Sequence, residues 1–395
     1  MGTPVVLSYG MGVDSTSILL RWLDDPSSRW FDLDDLIVLV AMTGDEWQRT
    51  GELVETHVLP RLADRHVRLV QVARAGLSHA RDGIVVLDDS RRPNKLHLGG
   101  AYRLSEELLA AGTIPLSASG QRRCSIKAKG EVLDAAIADL VGGAEFDHAV
   151  GFEAGEQRRA DRDRGYGTAA RQSRYPLIEW GWGRDDCSAY IARLTGVDDW
   201  PKSACVFCPF AANLRNRQVL LDRYRNQPDA AVLALRIEHR ARALNPNMTL
   251  FSSTSVASLL ADAGQVDLLG RFDAALADEQ WALYEVRRIL LPATSDPSRF
   301  GRGMRQTAVV ASGSHREMVD RLRRLPDGEL DPAEPGEGSG IWRRYARRRG
   351  PGFPTVEQFY VVAPAGIDAK SRPDFDRRWG ELTGDGRLFG LLEAS

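Results

Sequence analysis

The sequence is poor in cysteine, with only four thiols in 395 residues, at positions 124, 187, 205 and 208. That is too sparse for a disulfide-stapled scaffold, and clustered cysteines in a reducing compartment more often bind metal. Lysine is also scarce: five positions (95, 127, 129, 202 and 370) among 52 basic residues, the rest arginine. A GC-rich coding bias explains this better than an arginine-specific role. No apolar run approaches the roughly 20 residues needed to span a bilayer. The opening Met1-Gly-Thr-Pro-Val lacks the basic head and apolar stretch of a signal peptide, so a cytoplasmic protein without a membrane partner is expected. There is no Gly-Lys dipeptide, which excludes a Walker loop. A net charge of −2 excludes a global pull on nucleic acid and leaves only local patches. The seven histidines form no ligand-spaced cluster.

What is present is a globular composition, 43% hydrophobic and 27% charged. Strand and helix patterns alternate from residue 4 to about 195. Buried strands are expected at 5–8, 36–42, 67–72, 148–152 and 175–178, with helices over 48–65, 101–112, 126–141 and 185–194 between them. Alternation of this kind predicts an α/β fold, a doubly wound, mostly parallel five-stranded sheet with ligands at the carboxyl ends of its strands. After residue 212 the character changes. Residues 213–244, 254–263 and 267–291 read as helical, 293–303 and 326–340 as loops, and 358–363 as one late strand. The expected organisation is a nucleotide-binding domain over 1–212 and a mostly helical accessory domain over 213–395.

The first motif is a strand, a Gly-containing turn and a helix start, Val5-Val-Leu-Ser-Tyr-Gly-Met-Gly-Val-Asp-Ser-Thr16. Exposed N–H groups and the positive end of a helix dipole converge on such a turn and bind anions. Gly10 and Gly12 allow close backbone approach, and Ser8, Ser15 and Thr16 add hydroxyls. Three further clusters follow. Thr43-Gly44-Asp45-Glu46 sits at the end of the second strand, where backbone groups can read an adenine edge; an ordinary turn is the plain alternative. Arg122-Arg123-Cys124-Ser125-x-Lys127-x-Lys129 surrounds one thiol with four cations, which predicts a lowered thiol pKa and an anion site. Gly151-Phe-Glu-Ala-Gly-Glu-Gln-Arg158-Arg159 lies just past the fourth strand.

Taken together and in order, these segments resemble the ATP pyrophosphatases, in particular the phosphoadenosine-phosphosulfate reductases and the sulfur-activating ATPases of DNA phosphorothioation. The first turn resembles the family loop Ser-Gly-Gly-x-Asp-Ser, with Gly10 in place of its Ser and Met11 in place of its first Gly. Arg122-x-Cys124-Ser125-x-x-x-Lys129 and Gly151 to Arg159 resemble the family's Arg-x-Cys-Thr/Ser-x-x-x-Lys and Gly-Ile-Arg-x-x-Glu segments, with Glu153 in place of the second segment's arginine. The run Pro176-Leu-Ile-x-Trp180 to Tyr190-Ile191 is similar to another family segment and is assigned packing alone.

The resemblance implies an adenine nucleotide alpha hydrolase-like fold that binds ATP and Mg²⁺. Adenylation of a substrate would release pyrophosphate, for sulfur transfer to a nucleic acid or small metabolite with a sulfur donor protein as partner. The implied catalytic residues are Asp14, Ser15, Lys127 and Arg158. The implied nucleotide contacts are Ser8, Gly10, Gly12, Asp14, Ser15, Thr16, Thr43, Gly44 and Gly151.

Cys205-Val-Phe-Cys208 is the most specific metal signal, since two thiols two residues apart can share one ion or cluster. With Cys124 and Cys187 they make four ligands, and the resemblance favours a 4Fe–4S cluster over Zn²⁺. Arg343, Arg344, Arg347, Arg348 and Arg349, interleaved with Trp342 and Tyr345, form a basic aromatic patch at helical spacing, either a nucleic-acid contact or a solvated face. Two other functions stay open at this level. One is phosphosulfate reduction with Cys124 as nucleophile, disfavoured because no cysteine follows Cys208. The other is an idle nucleotide-binding sensor.

Overall fold

A computed structural model of the chain describes residues 2–115, 117–118, 121–212, 216–251, 254–331 and 340–384. The fold is α/β, with a mostly parallel six-stranded sheet in one unit and an antiparallel five-stranded sheet in the other. The first unit comprises Met1–Glu107 and Pro115–Cys208, and the second Leu108–Ile114 and Pro209–Ser395.

In the first unit the strands are β1 (Val5–Ser8), β2 (Leu36–Met42), β3 (Arg68–Arg74), β4 (Ile84–Ser90), β5 (Phe146–Ala149) and β6 (Arg171–Arg174). Their order across the sheet is β4-β3-β2-β1-β5-β6, with only β4 antiparallel to its neighbour. The helices are α1 (Val13–Asp24), α2 (Gln48–His57), α3 (Leu59–Asp64), α4 (Leu104–Ala111, shared with the second unit), α5 (Glu131–Val141), α6 (Gln157–Arg164) and α7 (Arg184–Thr195).

Successive residues of β1 and β2 point to opposite faces, and both faces are apolar. Val5, Leu7, Val38 and Val40 pack with Ile18, Leu19 and Trp22 of α1. Val6, Ile37 and Leu39 pack with Val132, Ala136 and Ile137 of α5. The chain begins in the middle of the sheet, builds outward through β2 to β4, then returns to place β5 on the other side of β1. The loops leaving β1 and β5 therefore lie side by side at the carboxyl edge, where ligands of such sheets bind.

One expected strand position needs correction, and the sheet has six strands rather than five. The fifth was read at 175–178, yet β6 ends at Arg174 and Pro176–Glu179 is a helical turn. Its sequence, Arg-Gln-Ser-Arg, is polar because it forms the sheet edge. β4 is an edge strand the sequence reading did not anticipate, and its residues are half-buried or exposed along their length.

The second unit contains α8 (Arg217–Asn226), α9 (Pro228–Leu244), α10 (Val256–Asp262), α11 (Val266–Ala277), α12 (His315–Arg323) and α13 (Phe375–Thr383). Its strands are β7 (Trp281–Pro292), β8 (Phe300–Gly313), β9 (Glu329–Asp331), β10 (Arg343–Arg347) and β11 (Thr355–Pro364), in the order β8-β7-β11-β10-β9. The helix expected over 267–291 thus stops at Ala277, and a long central strand begins at Trp281. β7 is paired on both sides, by β8 and β11, and that pairing overrides the helix-compatible Leu, Glu and Arg of its sequence. The loop expected over 326–340 lies outside the described residues at 332–339.

Candidate functional site

The site is built on the turn between β1 and α1. Tyr9 N donates to Leu39 O at 2.8 Å, and the chain then bends through Gly10, Met11 and Gly12. Met11 has φ 63°, a left-handed conformation that a glycine adopts without penalty. The methionine is held there by burial of its side chain and by Trp200 Nε1, which donates to its carbonyl at 3.2 Å. Gly12 is required for space: a Cβ there would lie 2.8 Å from Ser203 N.

The expected hydroxyl donors mostly brace the turn. Ser15 Oγ accepts from Gly10 N at 3.1 Å, and Thr16 Oγ1 lies 3.2 Å from Tyr9 OH in a buried pair. Ser8 Oγ lies 2.7 Å from His148 Nε2 on the adjoining β5. Arg171 Nε donates to His148 Nδ1 at 2.7 Å, which leaves the ring proton on Nε2, facing Ser8. Burial, reinforced by Arg171, pushes the His148 pKa down to about 4, so the ring is neutral at ordinary pH. Neither His148 nor Arg171 was picked out from the sequence.

No side chain caps the first turn of α1. Its first N–H groups are therefore left without a side-chain acceptor, with the helix dipole behind them. Beside them stands Asp14. Its Oδ2 pairs with Arg184 at 3.0 Å, while Oδ1 is buried and has no hydrogen-bond partner. Burial raises the Asp14 pKa to about 6; Arg184 opposes the shift, and Glu153 and Glu156 add to it. Gly151, on the loop after β5, comes so close that a Cβ would sit 3.1 Å from Ser15 N and 3.3 Å from Asp14 Cβ. Glu153 stands where the resembled family has arginine, and its carboxylate lies 3.8 Å from Arg184. The guanidinium of this site thus comes from Arg184 at the start of α7, a residue the sequence reading does not single out.

The Thr43–Glu46 turn closes on itself. Glu46 accepts from Thr43 N at 3.1 Å, Thr43 Oγ1 at 2.7 Å and Gly44 N at 3.1 Å. Gly44 has φ 88°, and a Cβ there would lie 2.6 Å from Arg103 Cγ. Asp45 accepts from Ser105 N at 2.7 Å, and burial raises its pKa to about 6. Lys129 reaches Ser203 Oγ at 3.4 Å and Glu46 at 3.8 Å.

Among the other predicted basic residues, Lys127 is paired with Glu107 at 2.7 Å, and Arg158 is exposed on α6. Arg158 makes no contact that joins it to Asp14.

The four thiols do not form one group. Cys205 and Cys208 are hydrogen-bonded to each other, and Cys124 is within electrostatic reach of both. Cys187 is fully buried in α7, in hydrogen-bond contact with Ser17 of α1. Among the described residues no three His, Cys, Asp or Glu side chains gather at metal-ligating distances. Cys187 thus stands apart from the other three thiols.

The expected thiolate at Cys124 also needs correction. Burial, then neighbouring Cys208, raise its pKa, and of the surrounding cations only Arg122 counters them appreciably.

The arginine patch is a strand, not a helix face. Arg343 is buried and donates to the carbonyls of Ala243 and Arg242. Arg344 donates to Asp327 O at 2.9 Å, and Arg348 pairs with Glu329 at 2.7 Å while lying over the Tyr345 ring. Arg347 is half-buried at the end of β10. These side chains hold their own unit together.

No protein-family model matches the chain, and no curated protein sequence matches it. The site must be read from its geometry. Uncapped N–H groups, one orphaned carboxylate oxygen and one guanidinium meet at the carboxyl edge of the sheet, a set suited to a phosphate chain accompanied by a divalent cation.

Proposed function

We propose that the chain is an ATP pyrophosphatase-type enzyme whose β1–α1 turn grips the polyphosphate of ATP. A doubly wound, adenine nucleotide alpha hydrolase-like arrangement of the first unit is part of this reading. The observation that carries it is the orphaned Oδ1 of Asp14 beside the uncapped start of α1. A buried carboxylate oxygen without a partner is costly to maintain unless a ligand completes it.

In this reading the first-turn N–H groups of α1 hold the pyrophosphate portion, and Gly12 and Gly151 let it approach the backbone. Arg184 balances charge and keeps Asp14 in place. Asp14 Oδ1 is the atom that would hold Mg²⁺, a cation usually bound by one or two carboxylates together with phosphates. When bound, the ion neutralises charge on the phosphates. Thr43 and Gly44, whose N–H groups are taken by Glu46, would flank the adenine rather than read its edge through those groups. An oxygen of the substrate attacks the α-phosphorus, the bond to the bridging oxygen breaks, and pyrophosphate leaves with the electron pair. Electrostatic stabilisation by fixed N–H groups and Arg184 carries most of the rate enhancement.

Use of the adenylated product for sulfur transfer to a nucleic acid or small metabolite completes the proposal. Because the four thiols do not form one group, no step is assigned to a metal cluster. Phosphosulfate reduction through Cys124 is the weaker reading, since that thiol is held protonated.

The test is pyrophosphate release from α-labelled ATP with candidate acceptors. Asp14→Ala is expected to abolish release while circular dichroism is retained. Undiminished release would remove the turn from the mechanism. Sulfite release from a phosphosulfate would favour the reductase instead.

A further inference from the structure

Cys205 and Cys208 take no part in the nucleotide reading, yet the fold holds them in a defined relation. Residues 205–208 form a tight turn closed by Cys208 N, which donates to Cys205 O at 3.1 Å. A turn of this span keeps its first and fourth Cα atoms within about 7 Å, the reach over which a disulfide can close. The side chains already face each other, for the two sulfurs are hydrogen-bonded. That bond, ahead of burial, raises the Cys205 pKa, so Cys205 keeps its proton and donates it to Cys208 Sγ. Val206 and Phe207, between them, are buried and anchor the turn, while Cys208 is half-buried.

We propose that Cys205 and Cys208 are a redox-modification site, closing to a reversible disulfide by exchange with a low-molecular-weight disulfide. Cys208 is the entry point. Its thiolate attacks one sulfur of the reagent, and the other half leaves as a thiolate. Cys205, deprotonated in turn, attacks Cys208 Sγ of the mixed disulfide and expels the second half. The reagent is reduced to two small thiols, the two protein thiols are oxidised to one disulfide, and their two protons end on the leaving thiolates. Cys205 never has to meet the reagent, since its target is the sulfur it already touches. A ring this short gains little from loop closure, which keeps the bond easy to reduce again.

The pair is joined to the candidate site through the backbone. Cys205 forms a β-bridge with Glu46, and Val206 N donates to Asp45 O at 2.9 Å. Glu46 is the acceptor that closes the Thr43–Glu46 turn. Lys129, 3.8 Å from Glu46, also acts by its charge on Cys205. Drawing the sulfurs from hydrogen-bond contact to a covalent bond of about 2.05 Å pulls on Cys205, and the bridge carries that pull to the turn.

The experiment treats the full chain, reduced and then freed of reductant, with excess oxidised glutathione, followed by alkylation, trypsin digestion and mass spectrometry. Cys205 and Cys208 share the tryptic peptide 203–215, and Cys124 and Cys187 fall on others. Peptide 203–215 is expected to lose two hydrogens and both alkylation sites, and to regain them after dithiothreitol. Cys205→Ser should stop at a stable glutathione adduct on Cys208. Amide exchange over residues 43–46 should quicken several-fold in the oxidised protein. A pair that stays reduced, a glutathione retained on Cys208 of the unmodified chain, or a disulfide that includes Cys124 would overturn the proposal. Unchanged exchange over 43–46 would sink the coupling to the turn. Should the serine variant not fold, the peptide masses of the unmodified chain decide. None of these readouts uses ATP, so failure here is separable from failure of the nucleotide reading.

Discussion

His148 Nε2 lies 2.7 Å from Ser8 Oγ, joining two adjacent parallel strands just where each gives way to a loop of the candidate site. The histidine is held from behind by Arg171, which is paired with Asp163 at 2.7 Å. Ser8 is thus set by a chain of side chains that ends on a carboxylate, and the ring must stay neutral to serve in it.

This gives a pH dependence. The His148 pKa falls from 6.5 unfolded to about 4 folded, so the unfolded chain takes up its proton first as the solution is acidified. The stability tied to the neutral ring is complete above pH 6.5 and is lost as the pH falls toward 4. Thermal melts from pH 7.5 to 4 should show this loss, and His148→Gln should flatten it while lowering stability at pH 7.5 by about 1–3 kcal/mol. A variant with the same acid slope as the parent would refute the assignment.

Asp14 behaves in the opposite sense. Its pKa rises from 3.8 to about 6 on folding, so its contribution is most favourable in acid and is lost as the pH rises from 3.8 through 6. Asp14→Asn should therefore raise stability at pH 8 by about 1–3 kcal/mol, with the gain vanishing below pH 4. The same variant should lose pyrophosphate release. A more stable, inactive protein is the expected pairing, measured by denaturant titration and by the release assay.

The thiols separate by accessibility. Cys187 is fully buried, whereas Cys124, Cys205 and Cys208 are half-buried. Native alkylation followed by peptide mass spectrometry should label the latter three and spare Cys187. Labelling should be slow at pH 7 and accelerate above pH 9, because burial raises Cys124, and Cys208 together with burial raises Cys205. If the purified protein carries iron or zinc, Cys187→Ala should leave its content unchanged and Cys205→Ser should lower it.

In the second unit Glu238 is buried and accepts from Leu250 N and Val256 N. Truncation leaves two enclosed N–H groups without an acceptor, each worth roughly 1–3 kcal/mol. Glu238→Ala should cost about 2–5 kcal/mol in chemical denaturation, and a loss under 1 kcal/mol would show that water replaces the carboxylate.

How much of this could be read beforehand follows from which residues face what. β1 and β2 are apolar on both sides and could be placed to within a residue or two. Asp14, Gly12 and Gly151 were picked out by motif, and all three meet at the turn. Arg184 and His148 were missed because each acts through a partner more than a hundred residues away, on a different element. β7 was missed because its Leu, Glu and Arg are ordinary helix formers, and only its pairing with β8 and β11 makes it a strand. Arg343 and Arg344 look free in the sequence because their acceptors are main-chain carbonyls, which no side-chain pattern reveals.

The central place of β1 in its sheet has one further effect. The opening turn is fastened by His148, Gly151, Arg184, Trp200 and Ser203. During synthesis it leaves the ribosome before its distant fasteners and stays unformed until they follow, because long loops must close before such contacts can form. A nascent fragment ending before Trp200 thus holds every residue of the opening turn and lacks two of the residues that fasten it.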